Sequence, residues 1–354
     1  MGHTVYLRFG IVTRLILQVG GEVFGREPGS GLLAIRHHTN IHENYQYQLD
    51  CSFKQFQFIE EKITDRELTI IDRYMQHRAA ANIPDGEPEI YINFLREKGD
   101  VRLYSQEQIY ESLPNLNKKI PTVLIMAHVF SDVPHCHGFM IYDDYYTWLT
   151  ETLNIIKHIK NVHWIIKAHP ADGYYNPKKN AAADSALKII KSSKNIFLAP
   201  KDALSSSFFK CVNGVVTVRG TAGLEFACQG LPILCTGTSV YSGKGFTIDA
   251  TTTKMYKEQL KSFFHTPLSK EQQRKAKVCA YYYFFILKTK TNFLPVTEFH
   301  WFMEYNVQKI LSESIKNLED MDIYRDPLYI NFHAMRAMNH SQLFNIVDTP
   351  ALAT

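Results

Sequence analysis

No two cysteines in this 354-residue chain are spaced as a Cys-x-x-Cys pair. Cys51, Cys136, Cys211, Cys228, Cys235 and Cys279 lie scattered. That excludes a zinc ribbon and a disulfide framework, and leaves free thiols in a reducing cytoplasm as the expectation. No apolar run reaches the ~18 residues that a membrane-spanning helix needs. The N-terminus shows no charged-then-apolar stretch leading to a cleavage site. There is no long Lys/Arg block and no internal repeat. The formal net charge is only +4, which argues against a nucleic-acid partner and suits a protein that holds a small anionic ligand.

Hydrophobic residues make up 45% of the chain, enough for a sizeable core. The 20 Tyr and 22 Phe are read first as packing residues of that core. The clearest pattern runs from residue 119 to 265. Short β-branched runs at 122–127, 162–167, 195–199, 214–218 and 232–235 alternate with helical segments at 143–160, 182–191, 202–210 and 222–229. Strands that are apolar on both faces and alternate with helices predict a parallel, doubly wound α/β sheet. Ahead of it, residues 5–24 read as a β-α-β unit, 27–50 as polar loop, 56–82 as a helix and 82–88 as a turn. Behind it, 270–287 reads as one helix with a solvated start and a buried, aromatic end. Residues 298–318 read as a further helix, and the last thirty carry weak signals. The expected organisation is an N-terminal lobe over 1–118, a Rossmann-like lobe over 119–295 and a C-terminal helical segment over 296–354.

In open α/β sheets, ligands bind beyond the carboxyl ends of the strands. Lys167-Ala-His169-Pro170 follows one strand, where an ammonium can neutralise a phosphate and an imidazole can donate to it. Gly220-Thr221-Ala222-Gly223-Leu224-Glu225 follows another. There small residues let backbone amides approach an anion at a helix start, and Thr221 reads as the N-cap. Glu225 then falls outside a capping box and is available to ribose hydroxyls. Pro232 to Gly237 runs into the loop Tyr241-Ser-Gly-Lys-Gly245, which could close over a sugar or base. After the strand at 122–127 come His128, Asp132, His135, Cys136 and His137. Their spacing matches no strong zinc signature, so this loop reads as a source of hydrogen bonds or of an acid/base group. Ser205-Ser-Ser207 reads as a helix cap.

Taken in order, these motifs resemble the bacterial capsule polysaccharide biosynthesis proteins, the family that includes capsular Kdo transferases. The resemblance rests on the strand ending in Lys167-x-His169-Pro170, on Val218-x-Gly-Thr-Ala-Gly-x-Glu225, on Gly230-x-Pro-Ile233 and the Tyr241 loop, and on Ala127-His128 through Asp143-Asp144-Tyr145-x-x-Trp148. It covers roughly residues 119–290. It implies a GT-B fold of two Rossmann-like lobes and a metal-independent glycosyltransferase without a cofactor, the nucleotide sugar being a substrate. It further implies a CMP-, UDP- or GDP-linked donor, a glycan or glycolipid acceptor, and a cytoplasmic site of action, peripheral at the inner membrane face or within a capsule-assembly complex. Carried over, Lys167 and His169 contact the donor phosphate, as do Gly220, Thr221, Ala222 and Gly223; Glu225 holds the ribose and Tyr241 lies in the donor site. With 118 residues ahead of the donor lobe, the N-terminal lobe is expected to be short or incomplete. Asp132 and His135, with His169, then stand as the catalytic candidates. Two other readings fit the same motifs: a non-catalytic nucleotide-binding lobe of a capsule assembly, and a sugar-nucleotide epimerase.

Overall fold

The computed structural model describes residues 7–26, 35–40, 52–83, 91–131, 138–170, 172, 193–292, 307–341 and 343–349. The chain divides into two compact units, residues 96–280 and residues 1–95 together with 281–354.

The unit over 96–280 is built on one six-stranded sheet. Its strands are β3 (Thr122–Met126), β4 (His163–Lys167), β5 (Ile196–Leu198), β6 (Gly214–Thr217), β7 (Ile233–Cys235) and β8 (Thr247–Asp249), and they lie in the order β5-β4-β3-β6-β7-β8. Every neighbouring pair is parallel. This is the parallel, doubly wound α/β arrangement expected from the alternating pattern, with β8 as a sixth strand that the pattern leaves unread. Successive residues of a strand face opposite sides. Val123, Ile125, Trp164, Ile166, Val216 and Leu234 join one core with Trp148, Leu149, Leu153 and Ile156 of α6 (Tyr145–Ile156). The alternate residues Leu124, Ile165, Val215 and Ile233 are equally buried. That is why these strands read as continuous apolar runs and not as alternating ones.

Local chemistry sets the element ends. Asp144 caps α6 by accepting from the Thr147 amide at 2.6 Å. Asn195, just ahead of β5, donates to the Ile159 and Val162 carbonyls at 2.8 and 3.2 Å, tying the end of the α6 region to the next strand. Gly214 opens β6 where a Cβ would sit 2.8 Å from the Phe263 ring, so the aromatic pair Phe263–Phe264 closes directly on the backbone. Cys211, Cys228, Cys235 and Cys279 are buried and unbridged.

The other unit combines both ends of the chain. Helix α1 (Leu7–Gln18) leads to β1 (Val23–Arg26), which pairs antiparallel with β2 (Ile35–His38). The β-α-β expectation for 5–24 is therefore wrong. The segment around residue 7 is helical, because the apolar residues from Leu7 to Leu17 continue a helix backwards instead of forming a separate strand. Part of the expected loop at 27–50 is β2. His38 on β2 is fully buried beside Arg36 and His37, and burial foremost pushes its pKa down to about 4.

The single helix read over 56–82 is two, α2 (Phe53–Lys62) and α3 (Asp65–Ala79). Ser52 and Thr64 each form a capping box, with Gln55 and Glu67, and the second box cuts the apolar stripe at residue 64. Helices α4 (Tyr91–Glu97) and α5 (Gln106–Ser112) follow. Between β6 and β7, α7 (Thr221–Cys228) falls where the pattern suggests a helix, as does α9 (Lys270–Tyr281) after β8, while α8 (Thr253–Gln259) lies in a stretch that the pattern leaves unassigned. Helix α9 runs on into a π-helical turn over Tyr282–Ile286, where Leu287 N–H donates to the Tyr282 carbonyl at 3.0 Å. The wider turn lets Tyr282, Tyr283, Phe284 and Ile286 all be buried.

Helix α10 (Val307–Asp320) occupies part of the stretch read as helical over 298–318. The weak C-terminal signals conceal α11 (Pro327–Ala337), capped by Asp326 with Pro327 in its first turn. On α11 the fully buried Asn331 donates to Thr289 Oγ1 at 2.5 Å and accepts from the Ile346 amide at 3.0 Å. One side chain thus ties three stretches of chain together. The helix expected at 182–191 lies outside the described residues.

Candidate functional site

The strand order creates a crossing point. From β3 the chain winds outward through β4 and β5, then returns to β6 on the other side of β3 and winds outward again. Connections leaving β3 and β6 diverge, which opens a crevice beyond their carboxyl ends.

His128, two residues past β3, fills the floor of that region. Its Nε2 lies 3.2 Å from Thr217 Oγ1, at the end of β6, and accepts from the Arg219 amide at 3.5 Å. The ring stacks on Tyr145 at 4.5 Å, with an angle of 13° between planes. Thr217 Oγ1 also accepts from the Gly220 amide at 3.4 Å. This pulls the chain into a tight turn, and α7 starts one residue earlier than expected for a Thr221 cap. Gly220, with extended φ and ψ, is the N-cap, and it provides no capping side chain; Thr221 is the first helical residue. Its hydroxyl therefore stands one position too late for the capping role. The cap assigned to Ser205-Ser-Ser207 is also absent. Those residues form a short 3₁₀ turn, preceded by Leu204 without a capping side chain, and Ser207 Oγ instead accepts from the Tyr104 amide at 3.0 Å.

The Gly223 amide donates to the Gly220 carbonyl at 2.9 Å. Thr221 and Ala222, earlier in the same turn, come before any i−4 carbonyl of the helix, so their amides are the ones directed outward. Tyr241 supports the turn from within. It is buried, and its hydroxyl donates to the same Gly220 carbonyl at 2.8 Å. A Cβ on Gly223 would collide with the Tyr241 hydroxyl and come within 2.9 Å of its Cζ, so a glycine is required there for the tyrosine to pass. Glu225 is half-buried one turn further along α7. The loop carrying Tyr241 is held at β8 by Asp249, which accepts from the Gly243 amide at 2.8 Å and whose carboxyl is pushed up chiefly by burial.

On the other side of β3, Lys167 ends β4. Its carbonyl accepts from the Ala127 amide at 2.9 Å, and its side chain is buried. Burial pulls the amine down to about 8, against the pull of Asp202. Asp202 is itself engaged by Arg102 Nε at 2.8 Å and by the Tyr104 hydroxyl at 2.8 Å. His169 lies two residues past β4, half-buried, where its carbonyl accepts from Asp172. The residues singled out in sequence thus stand at the carboxyl ends of β4 and β6, which flank β3. Asp132 and His135 lie outside the described residues. Among the described residues, no group of three His, Cys, Asp or Glu side chains could hold a metal ion, and no helix is long and apolar enough to cross a membrane.

One residue escaped the sequence reading. Arg219, two residues past β6, is buried at 7% exposure, with its guanidinium 6.0 Å from the centre of the Tyr145 ring. The signal that pointed to Lys167, a cation at a strand end, was equally present in Val218-Arg219-Gly220.

A family model described as "Capsule polysaccharide biosynthesis protein" matches residues 35–273. The chain belongs to this family. Capsule-synthesis membership therefore spans most of the β3–β8 unit and reaches back to β2. No curated protein matches the sequence. Among solved structures, the chain is similar to the beta Kdo 2,4 transferase of Thermosulfurimonas dismutans KpsC, at 11% identity and a TM-score of 0.44, over 82% of this chain and 79% of that one. The beta Kdo 2,7 transferase of the same KpsC gives 14% identity and a TM-score of 0.38, over 81% and 73%. A UDP-GlcNAc 2-epimerase from Neisseria meningitidis, solved with UDP-GlcNAc bound, gives 14% identity and a TM-score of 0.33, over 56% and 50%.

Proposed function

We propose that this capsule-synthesis protein is a glycosyltransferase that moves a sugar from a nucleotide-sugar donor to a capsule or surface polysaccharide or glycolipid. What supports the reading is that three anion-stabilising devices stand at the carboxyl ends of β4 and β6, the two strands that flank β3. These are the buried Lys167 amine, the His169 imidazole at the end of the same strand, and the outward amides of Thr221 and Ala222 after β6. When the bond from the sugar to the donor phosphate breaks, negative charge grows on the phosphate oxygen. Preorganised donors in a desolvated site stabilise that charge without reorganising. Lys167 and the α7 amides supply the field, and His169 donates a hydrogen bond to the leaving oxygen. These groups do the work a divalent ion does in other transferases, so no metal or cofactor is assigned.

Gly220 and Gly223 keep the turn narrow. Tyr241 acts by positioning it, and Glu225 accepts from the ribose hydroxyls. Asp132 and His135 are assigned to activation of the acceptor hydroxyl. The donor carries CMP, UDP or GDP, and the work takes place on the cytoplasmic side, at the inner membrane face or within a capsule-assembly complex.

The test is a melting-temperature panel with CMP, CDP, UMP, UDP and GDP on the wild type and on His169→Ala. Ligand at 100 times its dissociation constant adds about 2.7 kcal/mol of stability. One nucleotide should raise the melting temperature of the wild type, with most of that rise lost in His169→Ala. A wild type indifferent to all five would remove the donor reading. Binding without transfer to any glycan would leave a non-catalytic nucleotide-binding protein, and interconversion of the free sugar nucleotide would make it an epimerase.

A further inference from the structure

Arg219 is a cation in a place that should not tolerate one. None of its Nε, Nη1 and Nη2 atoms has a hydrogen-bond partner among the described residues, and all three are buried. An unpaired guanidinium removed from water is costly, and such a group in a folded protein calls for a ligand that completes it. The adjacent strand end repeats the pattern, because Thr236 Oγ1, just past β7, is likewise buried and unpartnered. Two neighbouring strand ends therefore present donors with no acceptor, at the crevice mouth.

The surroundings preserve space for the guanidinium. Gly237 stands where a Cβ would meet Val218 Cγ1 at 2.7 Å, Met140 Cγ at 3.1 Å and Arg219 Nη2 at 3.2 Å. Any larger residue at 237 would press on all three. Met140 and the guanidinium thus both border Gly237. Met140 is half-buried and unbranched, the kind of residue that changes rotamer readily. The Tyr145 ring backs the guanidinium on another side.

We infer that Arg219 is an anion-binding residue, taking a two-oxygen group, a phosphate or a carboxylate, in bidentate contact when Met140 turns aside. The fork geometry of arginine suits such groups, whereas the lysine at β4 acts as a point charge. The inference deepens the donor reading and rests on it for the identity of the ligand. It adds a second anion position after β6, separate from Lys167 and His169 after β4.

The experiment compares wild type, Arg219→Met and Arg219→Lys by calorimetric titration and thermal melting. Inorganic pyrophosphate is the phosphate probe, glucuronate the carboxylate probe, and the five nucleotides above follow. Without ligand, Arg219→Met should melt no lower than the wild type, since it removes an unpaired buried charge. The responding anion should bind it at least tenfold more weakly, with Arg219→Lys in between. Which probe responds names the source, a donor phosphate or an acidic sugar. Equal anion affinity in Arg219→Met and wild type overturns the inference, as does a wild type that answers neither probe. The two readings fail separately. Nucleotide binding that survives Arg219→Met unchanged but is lost in His169→Ala sinks Arg219 alone. Pyrophosphate binding through Arg219 with no response to any nucleotide sinks the donor reading alone.

Discussion

A lysine held near a pKa of about 8 makes a measurable statement about pH. The unfolded chain holds that proton more tightly than the folded one, because burial disfavours the charged amine. Stability should therefore rise with pH between about 8 and the ordinary 10.5, and the full cost should be present below about 8. The gap corresponds to roughly 3 kcal/mol. Lys167→Met should accordingly be more stable than the wild type at pH 7, by about 2–3 kcal/mol, with the difference shrinking towards pH 10.5. Urea unfolding of both proteins across that range checks it, and parallel profiles would show that the amine is not desolvated. Lys167 and Arg219 also show what a single sequence conveys. Both are cations at strand ends, and only their burial separates them from ordinary surface charges. Residue type and strand position were legible; the loss of solvent was not, since it depends on packing from distant segments such as Met140 and Tyr145.

At the scale of elements, five of the six strands are legible as apolar runs bounded by turns, whereas β8, half-buried along its length, gives no such run. What failed was short-range. Thr221 looked like a cap, but the Thr217 hydroxyl draws in the Gly220 amide, which makes Gly220 the cap and Thr221 the first residue of α7. That bond joins residues three apart across the strand end, and no propensity encodes it. In the N-terminal unit the Thr64 capping box divides what periodicity presented as one helix. The α7 turn offers a sharper test. Gly223→Ala would drive a methyl into the Tyr241 hydroxyl and Cζ and detach that hydroxyl from the Gly220 carbonyl. We expect a loss of about 2–3 kcal/mol, as for overpacking joined to a broken buried hydrogen bond, with nucleotide affinity falling as well. Adding Tyr241→Phe to Gly223→Ala should restore part of the loss, because the hydroxyl is the nearest obstacle and Cζ, at 2.9 Å, remains behind it; no recovery at all would mean that the hydroxyl is not what the methyl meets.

For the whole molecule, the partition decides what depends on what. All six strands of the large sheet, and helices α5 to α8, come from the uninterrupted stretch 96–280. A fragment of those residues should fold alone and melt cooperatively, with its own nucleotide response. A fragment of residues 1–95 should not, because its unit also needs 281–354. Circular dichroism melts of the two fragments distinguish these outcomes, and a cooperative transition in 1–95 would contradict the division. The family relation was legible at this scale through the order of motifs, which survives where no single motif is strong.

The discontinuous unit also has a history in time. During synthesis its first half leaves the ribosome long before its second, which follows roughly 10–50 s later at ordinary elongation rates. Throughout that interval β1, β2 and α3 lack the strand-to-tail bonds that complete them, such as His37 N–H to the Ser341 carbonyl and Leu343 N–H to the Ile35 carbonyl. The sheet-bearing unit can close meanwhile. A nonsense change after residue 281 would therefore spare the crevice and leave the nascent N-terminal segment as the part seen by chaperones and proteases.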